Sequence, residues 1–211
     1  MKVRNLQLRE LHLRTSDEEL MMRCRSGDTA AFELIVMRFK DQIINYICRS
    51  VGDYHQAEDL AQETFIRIYK NADSYEPRSK FKNWLYLIAT NLCRNEIRDR
   101  SRRKTDLLAG QSTEDKESDN LDIFPDFRYM PDRLYEKKER ELIIQQKINC
   151  LPENQRLSLI LVTYQGMRYE EIAEIIGCSV SAVKSLIHRS RRNMKKLLME
   201  SGISESHNAK I

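Results

Sequence analysis

Apolar residues recur along this chain at the three-to-four-residue spacing of amphipathic helices, in successive stretches. "SDEEL" at 16–20 is a capping box, with Ser16 placed to accept from the amide of Glu19 and Glu19 to reach back. The short helix it starts ends near Gly27, and a second runs from about Thr29. Phe32, Ile35, Val36, Phe39 and Ile43 form one buried stripe on that second helix. In "HQAEDLAQETFIRIYK", Ala57, Leu60, Ala61, Thr64, Phe65 and Ile68 share one face. The loop "NADSYEPRSK" breaks the pattern at Pro77. Phe81, Trp84, Leu85, Ile88, Ala89 and Leu92 then mark a further helix that continues past its stripe into "RNEIRDRSRRK".

Residues 105–131 lack this periodicity and read as an extended, charged linker. Beyond them, one helix is predicted from about Asp132 to before Pro152, and another from Glu153 to Gln165, closed by Gly166. The expected class is all-α: two small helical domains joined by an acidic linker. The expected boundaries are a tail at 1–14, a first domain at 15–104, the linker at 105–131, a second domain at 132–200 and a tail at 201–211.

Charge sharpens this picture. The net charge is only +4, but segment 94–104 is net +4, segment 105–132 is net −6, and no Asp or Glu falls between Gly177 and Leu198. The composition, with 6 Gly and 4 Pro, disfavours a many-stranded fold. The five cysteines fit neither a disulfide framework nor a zinc ribbon, and are expected to be small buried apolar side chains. No apolar run approaches a membrane span and no signal-peptide pattern opens the chain, so a cytoplasmic protein is expected.

The last sign change falls inside "YEEIAEIIGCSVSAVKSLIHRSRRNMKKL". Ile172, Ala173, Ile176, Cys178, Val183 and Leu186 occupy apolar or small positions, Gly177 sits at a turn, and Ser179 can cap the helix after it. This is a helix-turn-helix pattern, whose second helix lies in a major groove where an acid would be repelled. Ser181, Lys184, Ser185, His188 and Arg189 fall in one arc. Lys184 and Arg189 suit guanine edges, the others edges or phosphates, while Arg191, Arg192, Lys195 and Lys196 suit phosphates.

"AEDLAQETFIRIY", "FKNWLYLIATNLCRNEIRDRSRR" and "LPENQRLSLILVTYQGMRYEEIAEIIGCSVSAVKSLIHRSRRNMKKL", in that order, resemble the extracytoplasmic-function (ECF) sigma factors of bacterial RNA polymerase over residues 15–198. The resemblance implies a region-two domain that reads and melts the −10 element and a region-four domain that reads the −35 element. The implied partners are core RNA polymerase (the β′ clamp coiled coil and the β flap), promoter DNA and an anti-sigma factor, membrane-bound in many family members. The linker would thread the polymerase interior. Its charge fits a strand that holds a nucleic-acid channel and fits a plain solvated tether equally.

Asp59, Gln62 and Glu63 share the face opposite the apolar stripe, and the resemblance makes that face the dock for the clamp. No G-x-x-x-x-G-K-[ST] occurs, so melting must draw on tighter binding of the single strand than of the duplex. Tyr75, Lys80, Lys82, Asn91 and Asn95 are candidates for that strand, and Tyr75 and Asn91 match family positions that contact it. Tyr75 suits base stacking and core packing equally. Arg67, Arg94 and Arg98 suit the backbone. No cofactor or small-molecule substrate is expected. Two rivals are a metal enzyme using His55, Asp59 and Glu63, which lacks paired Glu-x-x-His motifs, and a stand-alone helix-turn-helix regulator with a sensory N-terminal domain.

Overall fold

A computed structural model describes residues 15–77, 79–110 and 132–201. Helix α1 spans Asp17–Arg25, α2 Thr29–Val51, α3 Tyr54–Lys70 and α4 Phe81–Gly110. A 3₁₀ turn at Ala72–Ser74 links α3 to α4. Helix α5 spans Asp132–Asn149, α6 Glu153–Thr163, α7 Tyr169–Ile176 and α8 Val180–Met199. All regular structure among the described residues is helical.

Local chemistry sets most of the ends. Ser16 accepts from Glu19 N at 3.1 Å, Asp28 from Ala31 N at 3.1 Å and Asp53 from Gln56 N at 3.0 Å, each meeting an amide that its helix leaves orphaned. Gly52 ends α2 at φ 77°, a conformation side chains resist. One cap comes from afar: Glu18 on α1 accepts the amide of Phe81, the first residue of α4, at 2.9 Å.

The first domain packs α1–α4 around Ile43, Tyr46, Ile47, Phe81, Leu85 and Tyr86, all fully buried. Burying aliphatic side chains of this size stabilises by about 1.5–3 kcal/mol each. Tyr46 and Tyr86 meet edge to face at 5.1 Å, and Tyr46 Oη lies 2.7 Å from Thr90 Oγ1. Burial raises both phenol pKa values well above the ordinary tyrosine value. In the second domain Ile148, Leu157, Ile160, Ile172, Val183 and Ile187 interlock.

The two domains also pack on each other, through α2 against α5 and α6 and through α4 against α6 and α7. At the first junction Arg156 donates to the carbonyls of Ser50 (3.0 Å), Leu151 and Asn149. Its guanidinium caps two helix ends at once, and burial lowers its pKa. Gln145 donates to the Arg49 carbonyl at 2.8 Å, and Arg49 lies over the Tyr164 ring at 4.0 Å.

Three expectations need correction. Helix α4 continues to Gly110, so residues 105–110 are helical rather than extended; the rest of the expected linker, the N-terminal tail and residues 202–211 lie outside the described residues. Helix α6 ends at Thr163, two residues short of the expected Gln165, because Tyr164 caps it and Gly166 turns the chain at φ 61°. Cys24 and Cys93 are buried as expected, but Cys150 is exposed at the α5–α6 turn.

Candidate nucleic-acid and polymerase interfaces

Helix α8 starts at a built turn. Gly177 ends α7 at φ 78°, and Ser179 Oγ accepts from the Ala182 amide at 3.2 Å. Val183, Ile187, Ser190 and Met194 turn inward. Ser190 fixes the roll of the helix by donating to the Gln155 carbonyl at 2.9 Å. The opposite side presents Ser181, Lys184, Ser185, His188, Arg189, Arg191, Arg192, Lys195 and Lys196, all exposed. The expected arc is therefore brought together on one face. Ser181 Oγ sits 2.9 Å from Ser179 Oγ, Ser185 donates to the Ser181 carbonyl, and Arg189 Nε donates to the Ser185 carbonyl at 3.2 Å. Those side chains lie against their own helix and must swing outward to touch a base.

Helix α3 presents Asp59 and Gln62 fully outward and Glu63 partly so. Glu63 accepts from Arg67 Nε at 2.7 Å. Arg67, a candidate for the strand backbone, is thus paired along α3 with Glu63. Ile66, 45% exposed, lies one turn beyond Gln62 on the same face. Sequence reasoning passed over it, although an apolar residue off the buried stripe was the available signal.

The surface of α4 differs. Asn91, Arg94, Asn95 and Arg98 lie at i, i+3, i+4 and i+7, so they share one side, and Lys80 precedes the helix on that side. Most of these groups are engaged by the second domain. Lys80 Nζ donates to Glu171 Oε1 at 2.7 Å, and Asn83 Nδ2 to Glu174 Oε2 at 2.8 Å. Tyr86 Oη donates to Gln165 at 2.6 Å, and Lys82 Nζ stands 5.7 Å from the centre of the Tyr86 ring. Arg94 donates to the Ile176 carbonyl at 2.8 Å, where a cation suits the negative end of α7. Arg98 holds Glu153 with two bonds, at 3.1 and 3.2 Å. The hydrogen bond from Lys80, and after it that from the Arg168 amide, holds the Glu171 carboxyl below its ordinary pKa. Asn91 and Asn95 stay exposed.

Tyr75 takes the core-packing alternative in this structure. Its ring is 3% exposed, packed 5.2 Å from Trp84 and 6.1 Å from Phe81. Burial, with help from Glu18 and Asp17, pushes its phenol up to about 12. Its hydroxyl meets no hydrogen-bond partner among the described residues. In this conformation the ring supports the loop from beneath and cannot stack on a base.

Residues 35–103 match the family Sigma-70 region 2, and residues 141–194 match Sigma-70, region 4. The RNA polymerase sigma-H factor of Pseudomonas aeruginosa is 36% identical over 86% of this chain and 93% of its own length. The ECF RNA polymerase sigma factor SigW of Bacillus subtilis is 37% identical over 83% and 93%. Among solved structures, CnrH in complex with the cytosolic domain of CnrY shares the fold, with TM-score 0.63 at 22% identity, covering 88% of this chain and 99% of that one. RpoE from Bartonella quintana, solved with the anti-sigma factor NepR, gives TM-score 0.60 at 25% identity, covering 80% and 96%. The first domain is thus a region-two domain, which removes the reading of it as a sensor for a stand-alone regulator. With both domains matched in order and full-length relatives above 30% identity, the chain belongs to the extracytoplasmic-function sigma factors of bacterial RNA polymerase.

Proposed function

We propose that this sigma factor divides initiation among three faces. The α3 face with Asp59, Gln62 and Glu63 docks on a basic surface of core polymerase, the β′ clamp coiled coil, with Ile66 adding apolar contact. Helix α8 enters the major groove of the −35 element, where Lys184 and Arg189 read bases and Ser181, Ser185, His188 and Arg192 position the helix. The second domain also meets the β flap. Lys80, Lys82, Asn91, Arg94, Asn95 and Arg98 on and before α4 follow the melted −10 strand. The factor catalyses no covalent step; strand opening draws on binding energy alone. It works in the cytoplasm beside polymerase, and an anti-sigma factor is a further partner, as for the RpoE relative.

The observation that carries this reading is the pair of separate basic faces, on α4 and α8, within one chain whose α3 face is acidic. Reconstitution tests it. Core RNA polymerase with the purified chain and genomic fragments should give transcripts from discrete start sites, while the chain alone binds duplex DNA weakly. Site-specific duplex binding by the chain alone, unchanged by core polymerase, would contradict it.

A further inference from the structure

Helix α8 rests on its neighbours through Val183, Ile187 and Met194, which are buried and apolar. Apolar burial has no direction, and methionine is among the most adaptable of core side chains, so this seam alone leaves α8 free to roll and slide. Two polar residues of α8 turn into the seam as well. Ser190 is fully buried, with its Oγ 2.9 Å from the Gln155 carbonyl on α6 and 2.8 Å from the Leu186 carbonyl on its own helix. Asn193, half-buried one turn later, donates from Nδ2 to Gln155 Oε1 at 2.9 Å. Gln155 thus meets α8 with two oxygens, one from its main chain and one from its side chain. A hydrogen bond weakens steeply off its axis, so bonds to two acceptors one turn apart resist both roll and slide.

We propose that Gln155 is a positioning residue for promoter selectivity: it touches no DNA, and through Asn193 and Ser190 it holds α8 at the roll that aims Lys184 and Arg189 at base edges. This rests on the reading of α8 as the −35 helix. Side-chain tips stand about 5–6 Å from a helix axis, so a roll of about 10° displaces them by about 1 Å. A recognition contact is kept only within about 0.5 Å of its working geometry. Phosphate contacts by long, exposed cations such as Arg191 and Arg192 carry no sequence information and follow such a shift by changing rotamer. Loosening the clamp therefore removes discrimination between sequences and leaves general affinity for duplex DNA in place. Gln155 sits on α6, and Asn193 lies outside the exposed arc from Ser181 to Arg189, so neither substitution alters the reading side chains themselves.

A discrimination ratio tests the clamp. Wild-type holoenzyme, formed from the full chain and core polymerase, first selects an upstream duplex from a random-sequence pool. Its affinity for that duplex, divided by its affinity for a shuffled counterpart, is the ratio. Q155A and N193A should each lower the ratio at least threefold, while affinity for the shuffled duplex changes less than twofold. Q155A/N193A should fall no further than either single variant, because both delete the same bond. Q155E keeps an acceptor for Asn193 and should hold the ratio within twofold of wild type, since its added charge acts on both duplexes alike. Circular dichroism follows the melting of each variant. Wild-type ratios in Q155A and N193A overturn the proposal. So do losses that multiply in the double variant, a Q155E as defective as Q155A, or equal falls in affinity for both duplexes with lowered melting, which is the pattern of a merely structural contact. A wild-type holoenzyme that selects no upstream sequence would sink the −35 reading of α8, and the proposal with it.

Discussion

The two basic faces of the molecule carry similar charge in opposite surroundings. On α8, Lys184, Arg191 and Arg192 project to solvent from a helix without a single acid between Val180 and Met199. On α4, Lys80, Arg94 and Arg98 hold carboxylates of the other domain. The roles proposed for the two faces would account for the difference. A major-groove reader meets intact duplex, which is always available, and needs only a rigid, correctly rolled helix. A single-strand reader meets its ligand only after melting, and an uncovered cationic strip would hold any stray nucleic acid meanwhile. The acids that hold these cations are mostly covered, Glu171 at 16% and Glu153 at 20% side-chain exposure.

The largest effect is expected in the packing beneath the loop that precedes α4. Tyr75→Ala removes a buried ring and should cost about 3–5 kcal/mol of stability, read by chemical denaturation. Its transcription defect should be equal on duplex and pre-melted templates. Tyr75→Phe deletes a hydroxyl that has no partner among the described residues and should match or exceed wild-type stability. A selective rescue of Tyr75→Ala by a pre-melted −10 bubble would return the ring to the base-contacting set.

Next in size is the open face. Lys184→Ala and Arg189→Ala should each lose about 1–3 kcal/mol of −35 discrimination if the contact is bidentate. Promoter selectivity unchanged in both would remove α8 from the groove. Asn91, exposed beside the ion-paired strip, tests the other side. Asn91→Ala should slow open-complex formation by about tenfold, equivalent to roughly 1.4 kcal/mol, and a bubble template should restore most of the rate.

The smallest effect is on pH. The Lys80 bond and the Arg168 amide depress the Glu171 pKa, so its stabilisation is fully present above the ordinary value of 4.5 and is lost as pH falls through the depressed one. Wild type should show a slight extra loss of melting temperature below pH 4.5 that E171Q lacks.

Much of this was legible in the sequence where the cause is local. Ser16, Ser179 and Gly177 act within four residues of themselves, and the structure places them as the pattern requires. The inward and outward sides of α3 and α8 follow periodicity alone. The hidden features depend on distant chain. Helix α4 runs to Gly110 although apolar periodicity has ended, since a helix whose first part is packed adds residues at low cost. The position of Tyr75 is set by Phe81 and Trp84, and no pattern in a turn-rich loop announces it. The partners of Lys80, Arg94 and Arg98 lie 91, 82 and 55 residues away, so nothing nearby signals that these cations are taken. Of the two basic faces, the exposure of the one on α8 was therefore readable and the covering of the one on α4 was not.

The α3 face with Asp59, Gln62 and Glu63 is the proposed acidic handle by which polymerase takes this protein. Asp59→Lys with Glu63→Lys tests it most directly. Exposed polar positions seldom cost more than about 0.5 kcal/mol, and the Glu63–Arg67 pair lost with them is a surface pair, so circular dichroism and melting should stay near wild type. Capture of core RNA polymerase by the full-length double variant should fall at least tenfold, while its binding to a −35 duplex stays as before. A well-folded variant that captures core polymerase as tightly as wild type would contradict the claim.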